Sequence, residues 1–162
     1  MTETTAARSV EHNTFVLERI YPVSRERVFA AMANKEQKAK WFGGDDDGSV
    51  TWDLDFREGG HELNTGNVTM PDGEVHHSKF DAYYLDIVEN ERITWSYNMY
   101  ADGVKLSSSL TVMELTAVPD GTKLTFTETG AYFDGHEKPA LREEGSGWML
   151  DALGKALEPV VE

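Results

Sequence analysis

At 162 residues with no break in composition, the chain is long enough to bury a sizeable core and reads as one domain. Its formal charge of −14 argues against a nucleic-acid surface, which needs a basic face, and against electrostatic docking to anionic lipid. It holds no cysteine, which excludes disulfides, thiolate nucleophiles and zinc-thiolate sites.

Residues 1–13 carry no apolar signal-peptide core and no stretch is apolar enough to span a membrane, so a soluble, cytoplasmic protein with an N-terminal tail is expected. Residues 14–21 (TFVLERIY) are rich in β-branched and aromatic side chains and predict a strand, ended by Pro22. Ser24 is placed to cap a short helix with Val28, Phe29 and Met32 inward. Asn34 is placed to cap a second helix with Gln37 at the capping-box position, running to Trp41 and Phe42. From residue 49 to about 132 nearly everything reads as strand. Val50, Trp52, Leu54 and Phe56 alternate with polar residues; further strands are predicted from near His61, over 75–88, and with Ile93, Trp95, Tyr97 and Met99 sharing a face. Asp102-Gly103 and Pro119-Asp120-Gly121 are hairpin signals bracketing a strand over 104–118 and introducing a last one over 122–132.

Pro139 suits the first turn of a helix. Gly145 and Gly147 each cost about 1 kcal/mol in a helix interior, so a restart or kink is expected near Ser146. Beyond it, Trp148, Met149, Ala152, Leu153, Ala156 and Leu157 predict the inward stripe, with Asp151 and Lys155 as an outer i,i+4 pair. Pro159 stops the helix and leaves 159–162 as a tail. The order β-αα-β6-α predicts an α+β fold in which a curved seven-stranded antiparallel sheet wraps round a long C-terminal helix and leaves room between them.

Strict alternation puts Glu128 on the inward face with Leu124 and Phe126. A buried carboxylate must be paired, hydrogen-bonded or protonated. Two readings stay open: a polar anchor or general acid/base in an apolar pocket, or a structural carboxylate satisfied by an arginine or tyrosine, or carried to the rim by a bulge near Gly130. Trp41, Phe42, Trp52, Trp95, Tyr97, Phe126, Tyr132 and Trp148 are either core or pocket walls. Polar tips at Tyr97, Ser108 and Glu128 favour a pocket, in which the small Ala152 leaves space. No metal or cofactor is expected. Setting Gly48 at the glycine of a calcium loop puts Leu54 where a carboxylate is required, the histidines lack ligand spacing, and Ser107-Ser108-Ser109 has no nucleophile-elbow glycines.

Tyr21-Pro22, Val28-Phe29-Ala30, Lys40-Trp41-Phe42-Gly43, the Asp55-Phe56-Arg57-Glu58-Gly59-Gly60 turn, Gly121-Thr122-Lys123-Leu124-Thr125 and a terminal helix with Gly147-Trp148 and Leu153 occur in a familiar order. Over residues 14–158, read as a single domain, the chain resembles the Hsp90-ATPase-activator-like (AHSA1-like) family of the START-like, or SRPBCC (Bet v 1-like), superfamily. It departs where the family often has two tryptophans and a proline, since Trp41-Phe42-Gly43-Gly44 here leads into an acidic loop. The resemblance implies the helix-grip fold and binding of a small apolar or aromatic molecule between the sheet and the C-terminal helix. It also allows a polyketide cyclase- or aromatase-like enzyme, with Glu128 as acid/base and Tyr97 or Tyr132 positioning a polarised oxygen. A third reading is an Hsp90-type co-chaperone or protein-interaction module. The separate N-terminal Hsp90-binding domain of the eukaryotic co-chaperone is missing from this sequence, which speaks against Hsp90 as the partner. A homodimer is left open. An enzyme should bring two polar groups to one point of the cavity, whereas an interaction module should show a filled core and an exposed apolar patch.

Overall fold

The computed structural model describes residues 7–158. The chain runs β1 (Val10–Tyr21), α1 (Arg25–Ala33), α2 (Lys35–Lys38), β2 (Thr51–Leu54), β3 (His61–Thr69), β4 (Val75–Val88), β5 (Arg92–Ala101), β6 (Val104–Val118), β7 (Gly121–Phe133) and α3 (Pro139–Leu157). The strands form one antiparallel sheet in the order β1-β7-β6-β5-β4-β3-β2, curved around the C-terminal helix as a helix-grip fold. Residues 1–6 and 159–162 of the expected tails, Pro159 included, lie outside the described residues.

The first strand begins at Val10 rather than at residue 14. Its start is tied down by Asp134, which accepts from the Ser9 amide at 2.9 Å and from Arg8 at 2.9 Å, so residues 10–13 pair with Phe133–Gly130. Ser24 accepts from the Arg27 amide and Asn34 from the Gln37 amide, the two caps expected. The second helix is a single turn ending at Lys38; turns carry the chain on to Phe42, whose amide donates to the Lys38 carbonyl at 2.9 Å. Asp102 and Gly103 both take positive φ, the left-handed pair a tight hairpin requires. At Gly121 a Cβ would lie 2.0 Å from the Tyr21 carbonyl oxygen, so no other residue fits where β7 passes the end of β1.

The final helix differs from expectation in two ways. It is continuous through Gly145, Ser146 and Gly147 rather than restarting there. Side chains from the first third of the chain fasten it along its length. Arg19 pairs with Asp151 at 2.9 Å, Tyr21 donates to the Leu150 carbonyl at 2.7 Å, and Arg27 donates to the Ala156 carbonyl at 3.3 Å. These contacts offset the glycine penalty. Asp151 thus serves Arg19 rather than Lys155. The buried stripe is also rotated: Arg142, Ser146, Leu150, Leu153 and Leu157 face the sheet, while Trp148 is 55% exposed. Met149, Ala152 and Ala156 pack against the flank of the core. Trp148→Ala is therefore expected to change stability by no more than about 1 kcal/mol, against roughly 3–5 kcal/mol for a core tryptophan. Urea denaturation distinguishes the two, and a loss in the core range would contradict this placement.

Leu150, Leu153 and Leu157 close over Ile93, Met113, Leu124 and Phe126, with Val28 and Met32 of α1 completing the core. Among the described residues no helix is long and apolar enough to cross a membrane.

Candidate functional site: two buried polar clusters

The inner face of the sheet carries polar side chains in successive rows. Cross-strand pairing sets Trp95 opposite Thr111 and Thr111 opposite Glu128, then Tyr97 opposite Ser109 and Ser109 opposite Gly130, then Ser107 opposite Tyr132. Glu128 is 2% exposed, and its Oε1 accepts from the Tyr97 hydroxyl at 2.8 Å and the Thr111 hydroxyl at 2.9 Å. Arg142, the first inward residue of α3, comes down onto this group. Its Nη1 donates to the Tyr97 hydroxyl at 2.9 Å and lies 3.9 Å from Glu128 Oε2, and its Nη2 donates to Ser107 at 2.8 Å and to Glu137. The guanidinium also stands over the Tyr132 ring, 5.3 Å from its centroid.

Burial pushes the Glu128 carboxyl above its ordinary range, opposed by Arg142 and by the hydrogen bonds from Tyr97 and Thr111. Burial, then the neighbouring Glu128 charge, raises the Tyr97 phenol well above its usual value, so Tyr97 acts as a donor. Tyr132 is pushed up to about 12, first by burial. For Arg142, burial works against the charge, but Tyr97, Glu137 and Glu128 outweigh it and keep the guanidinium ionised.

Three buried atoms near this centre have no hydrogen-bond partner: Trp95 Nε1, Ser109 Oγ and Glu128 Oε2. One is a donor, one an acceptor when ionised, and the hydroxyl can be either. Buried polar groups without partners are rare in native structures, and each one calls for an explanation.

A second cluster lies where α2 meets the sheet. Lys38 Nζ, 3% exposed, is 2.6 Å from Glu62 Oε1. That oxygen also accepts from the Tyr84 hydroxyl at 2.6 Å, and Glu62 Oε2 accepts from Trp52 Nε1 at 2.8 Å. Lys38 stands 4.4 Å from the Phe42 ring centroid. Burial lowers the Lys38 pKa, and Glu62 opposes that shift. Both Glu62 oxygens have partners, so this cluster reads as an internal tie. Phe42, Phe80 and Tyr97 form a line of ring contacts between the two clusters, with centroids 5.2 and 4.9 Å apart.

The structure thus gathers Trp95, Tyr97, Phe126, Glu128 and Tyr132 around the first cluster. Phe42 and Trp52 belong to the second, and Trp41 is core, donating from Nε1 to the Ala31 carbonyl at 3.0 Å. Three expected pocket residues are elsewhere. Ser108 lies on the outer face, hydrogen-bonded to Asn98, because Ser107, Ser109 and Thr111 take the inward positions; Leu110 beside it is 42% exposed. Trp148 points outward, and Ala152 lies on the helix flank. The β6–β7 register carries no shift near Gly130, so Glu128 stays inward. Arg142, Ser107, Ser109 and Thr111 complete the site without having been foreseen.

Two depressions are open to solvent. One of about 320 Å3 runs between β1 and α3, lined by Leu17, Arg19, Gly147 and Trp148 among others. One of about 90 Å3 lies on the outer face near Tyr83, Asn98 and Ser108. Neither is the space expected between the sheet and the inner face of the helix, where leucines and aromatic rings meet. In the acidic loop, Asp45 accepts from the Thr69 amide at 3.1 Å and Asp47 from Asn67 at 3.1 Å, so both carboxylates bind the loop to β3. Among the described residues no three histidines or carboxylates are grouped to hold a metal ion.

Comparisons with known proteins agree with this architecture. An uncharacterised protein from Rhizobium leguminosarum is 38% identical, with a TM-score of 0.81 over 93% of this chain and 97% of its own. Mll3558 from Rhizobium loti is 42% identical, with a TM-score of 0.80 over 91% of this chain and 99% of its own. An AHSA1-like protein from Aeromonas hydrophila, at 19% identity and a TM-score of 0.64 over 93% and 99% of the two chains, shares the fold. A search of curated proteins finds no match. The family model described as "Activator of Hsp90 ATPase homolog 1-like protein" matches residues 22–158, and with the helix-grip sheet and terminal helix already in place the chain belongs to that family.

Proposed function

We propose that the protein binds a small apolar or aromatic molecule bearing one polar hydrogen, held between the inner sheet face and the N-terminal half of α3. The observation that carries this reading is the trio of unpartnered buried atoms, Trp95 Nε1, Ser109 Oγ and Glu128 Oε2, in neighbouring rows of one sheet face. A ligand hydroxyl donating to Glu128 and accepting from Trp95 or Ser109 would satisfy what the protein leaves open, with apolar walls around it. The helix above this patch offers little apolar roofing, since its buried residues there are Arg142 and, one turn on, Ser146. A shift of these turns would admit a ligand without disturbing Leu150, Leu153 and Leu157. Cyclase-like chemistry would use the same Glu128 and Tyr97, but Tyr97 already donates to Glu128 and accepts from Arg142, which favours holding over turnover.

Tryptophan fluorescence titrations with 2-naphthol and its methyl ether test the anchor. Saturable binding of 2-naphthol is expected, at least about tenfold tighter than the ether, because a hydrogen bond to a charged group is worth roughly 1.5–3 kcal/mol. Glu128→Gln should abolish the difference. Absence of saturable binding, together with native mass spectra showing no retained molecule, would remove the ligand reading. An undiminished preference in the Gln variant would remove Glu128 as the anchor.

A further inference from the structure

The two edges of the sheet are treated differently. The β2 edge is four residues long, one of the ways natural proteins blunt an edge against pairing. The β1 edge is twelve residues long, pairs with β7 without a register shift, and contains no proline and no lysine. Among the described residues no strand pairs with its free side. Its outward side chains include Val10, Val16 and Ile20, exposed by 56%, 56% and 64%. A long edge flanked by exposed apolar side chains is a template for another strand, and its charges, Glu11, Glu18 and Arg19, restrict it to a partner that answers them.

We propose that β1 pairs antiparallel with β1 of a second copy of this chain, about a two-fold axis through Phe15, joining two sheets into one. The strand is self-complementary in that register. On the outer face Val10 falls opposite Ile20, His12 opposite Glu18 and Thr14 opposite Val16. On the inner face Glu11 falls opposite Arg19, Asn13 opposite Leu17 and Phe15 opposite itself. The symmetry makes every pair except Phe15 with itself occur twice, so the opposite-charge pair Glu11–Arg19 and the apolar pair Val10–Ile20 recur across the seam. Sliding by two residues one way sets Val10 against Glu18 and Glu11 against Leu17; sliding the other way sets His12 against Ile20 and Thr14 against Glu18. A one-residue slip turns inner side chains against outer ones. Only the register through Phe15 matches both charge and hydrophobicity. Arg19 and Leu17 also line the groove between β1 and α3, so the second copy's Asn13 and Glu11 would enter beside the exposed Trp148. Two chains of charge −14 repel, and salt screens that repulsion.

Sedimentation equilibrium of the full chain over a range of concentrations reads the outcome, with circular dichroism confirming the fold of each variant. Wild type should approach twice the chain mass. Val16→Lys, an exposed change near the axis, should weaken association by roughly tenfold or more, because it replaces an apolar edge side chain with the lysine that natural edges use against pairing. Val10→Lys and Ile20→Glu, at exposed positions that face each other across the seam, should each weaken it, and the double variant Val10→Lys/Ile20→Glu should restore it. A wild-type monomer at all concentrations overturns the proposal. So does a dimer indifferent to Val16→Lys, which would use another surface. Failure of the double exchange to restore association overturns the register.

Discussion

Lys38→Met should destabilise the fold by about 3–5 kcal/mol. The ammonium and the Glu62 carboxylate are both removed from water, at 3% and 0% side-chain exposure, and 2.6 Å apart. Losing one partner of such a pair leaves the other as an uncompensated buried charge. Tyr84 and Trp52 would still donate to Glu62, but neither carries a countercharge. Met keeps the length and apolar character of the lysine stem, so packing loss is small, and the ammonium contact with the Phe42 ring is lost along with the ion pair. The urea midpoint should fall with an unchanged slope. Lys40→Met, on an exposed neighbour, is the control and should stay within about 0.5 kcal/mol of wild type. A Lys38→Met protein within about 1 kcal/mol of wild type would mean that the Lys38–Glu62 pair does not hold the fold.

The second large effect belongs to Arg142→Leu, for which a loss of about 3–5 kcal/mol is expected at neutral pH, with a distinctive pH dependence. Arg142 is the cation that faces Glu128, and it lies among Tyr97, Ser107 and Glu137. Burial already holds the Glu128 carboxyl above its ordinary value of 4.5, and Arg142 is the first influence opposing that rise. Removing the arginine moves Glu128 further up. A carboxyl whose folded pKa exceeds its unfolded one binds its proton more tightly when folded. The fold is therefore favoured at low pH and loses stability as pH climbs from about 4.5 through the folded value. The deficit of Arg142→Leu relative to wild type should shrink as pH falls through that window. Denaturation curves at a series of pH values measure it, and a deficit that widens on acidification would mean that Glu128 is not the charge left exposed by the substitution.

Where alternation of apolar and polar residues carries the strand pattern, it marks strand and facing together. Ile93, Trp95 and Tyr97 on β5, and Leu124, Phe126 and Glu128 on β7, are buried as their period-2 spacing required. On β6 the same rule misleads. Its inner face opens with Ser107, Ser109 and Thr111 while Leu106 and Leu110 lie outside, so polarity runs opposite to facing until Met113 and Leu115. Alternation with Leu106 and Leu110 therefore predicts an inward Ser108, and the structure has it outward. The helix phase failed for a related cause. The true stripe begins with Arg142 and Ser146, which carry no hydrophobic signal, and the remaining apolar residues allow a phase rotated toward Trp148. Lys38 and Glu62 were invisible because a lysine on a one-turn helix reads as solvated and its partner comes 24 residues later. Inward Glu62, Asn64 and Gly66 give β3 no apolar alternation to reveal its buried side.

The pairing of the first strand with the last also orders events in time. Strands β2 to β7 are joined by successive hairpins, so each can add to its predecessor soon after it is made. For β1 there is no such neighbour: Val10 pairs with Phe133, and Tyr21 with Thr122. During synthesis this strand must wait until nearly the whole chain has emerged before its backbone finds its partner. A twelve-residue segment with Val10, Val16 and Ile20 along one side is thus unpaired on both edges for most of the chain's manufacture. That interval, more than any weakness of the finished core, is where the chain is most open to aggregation.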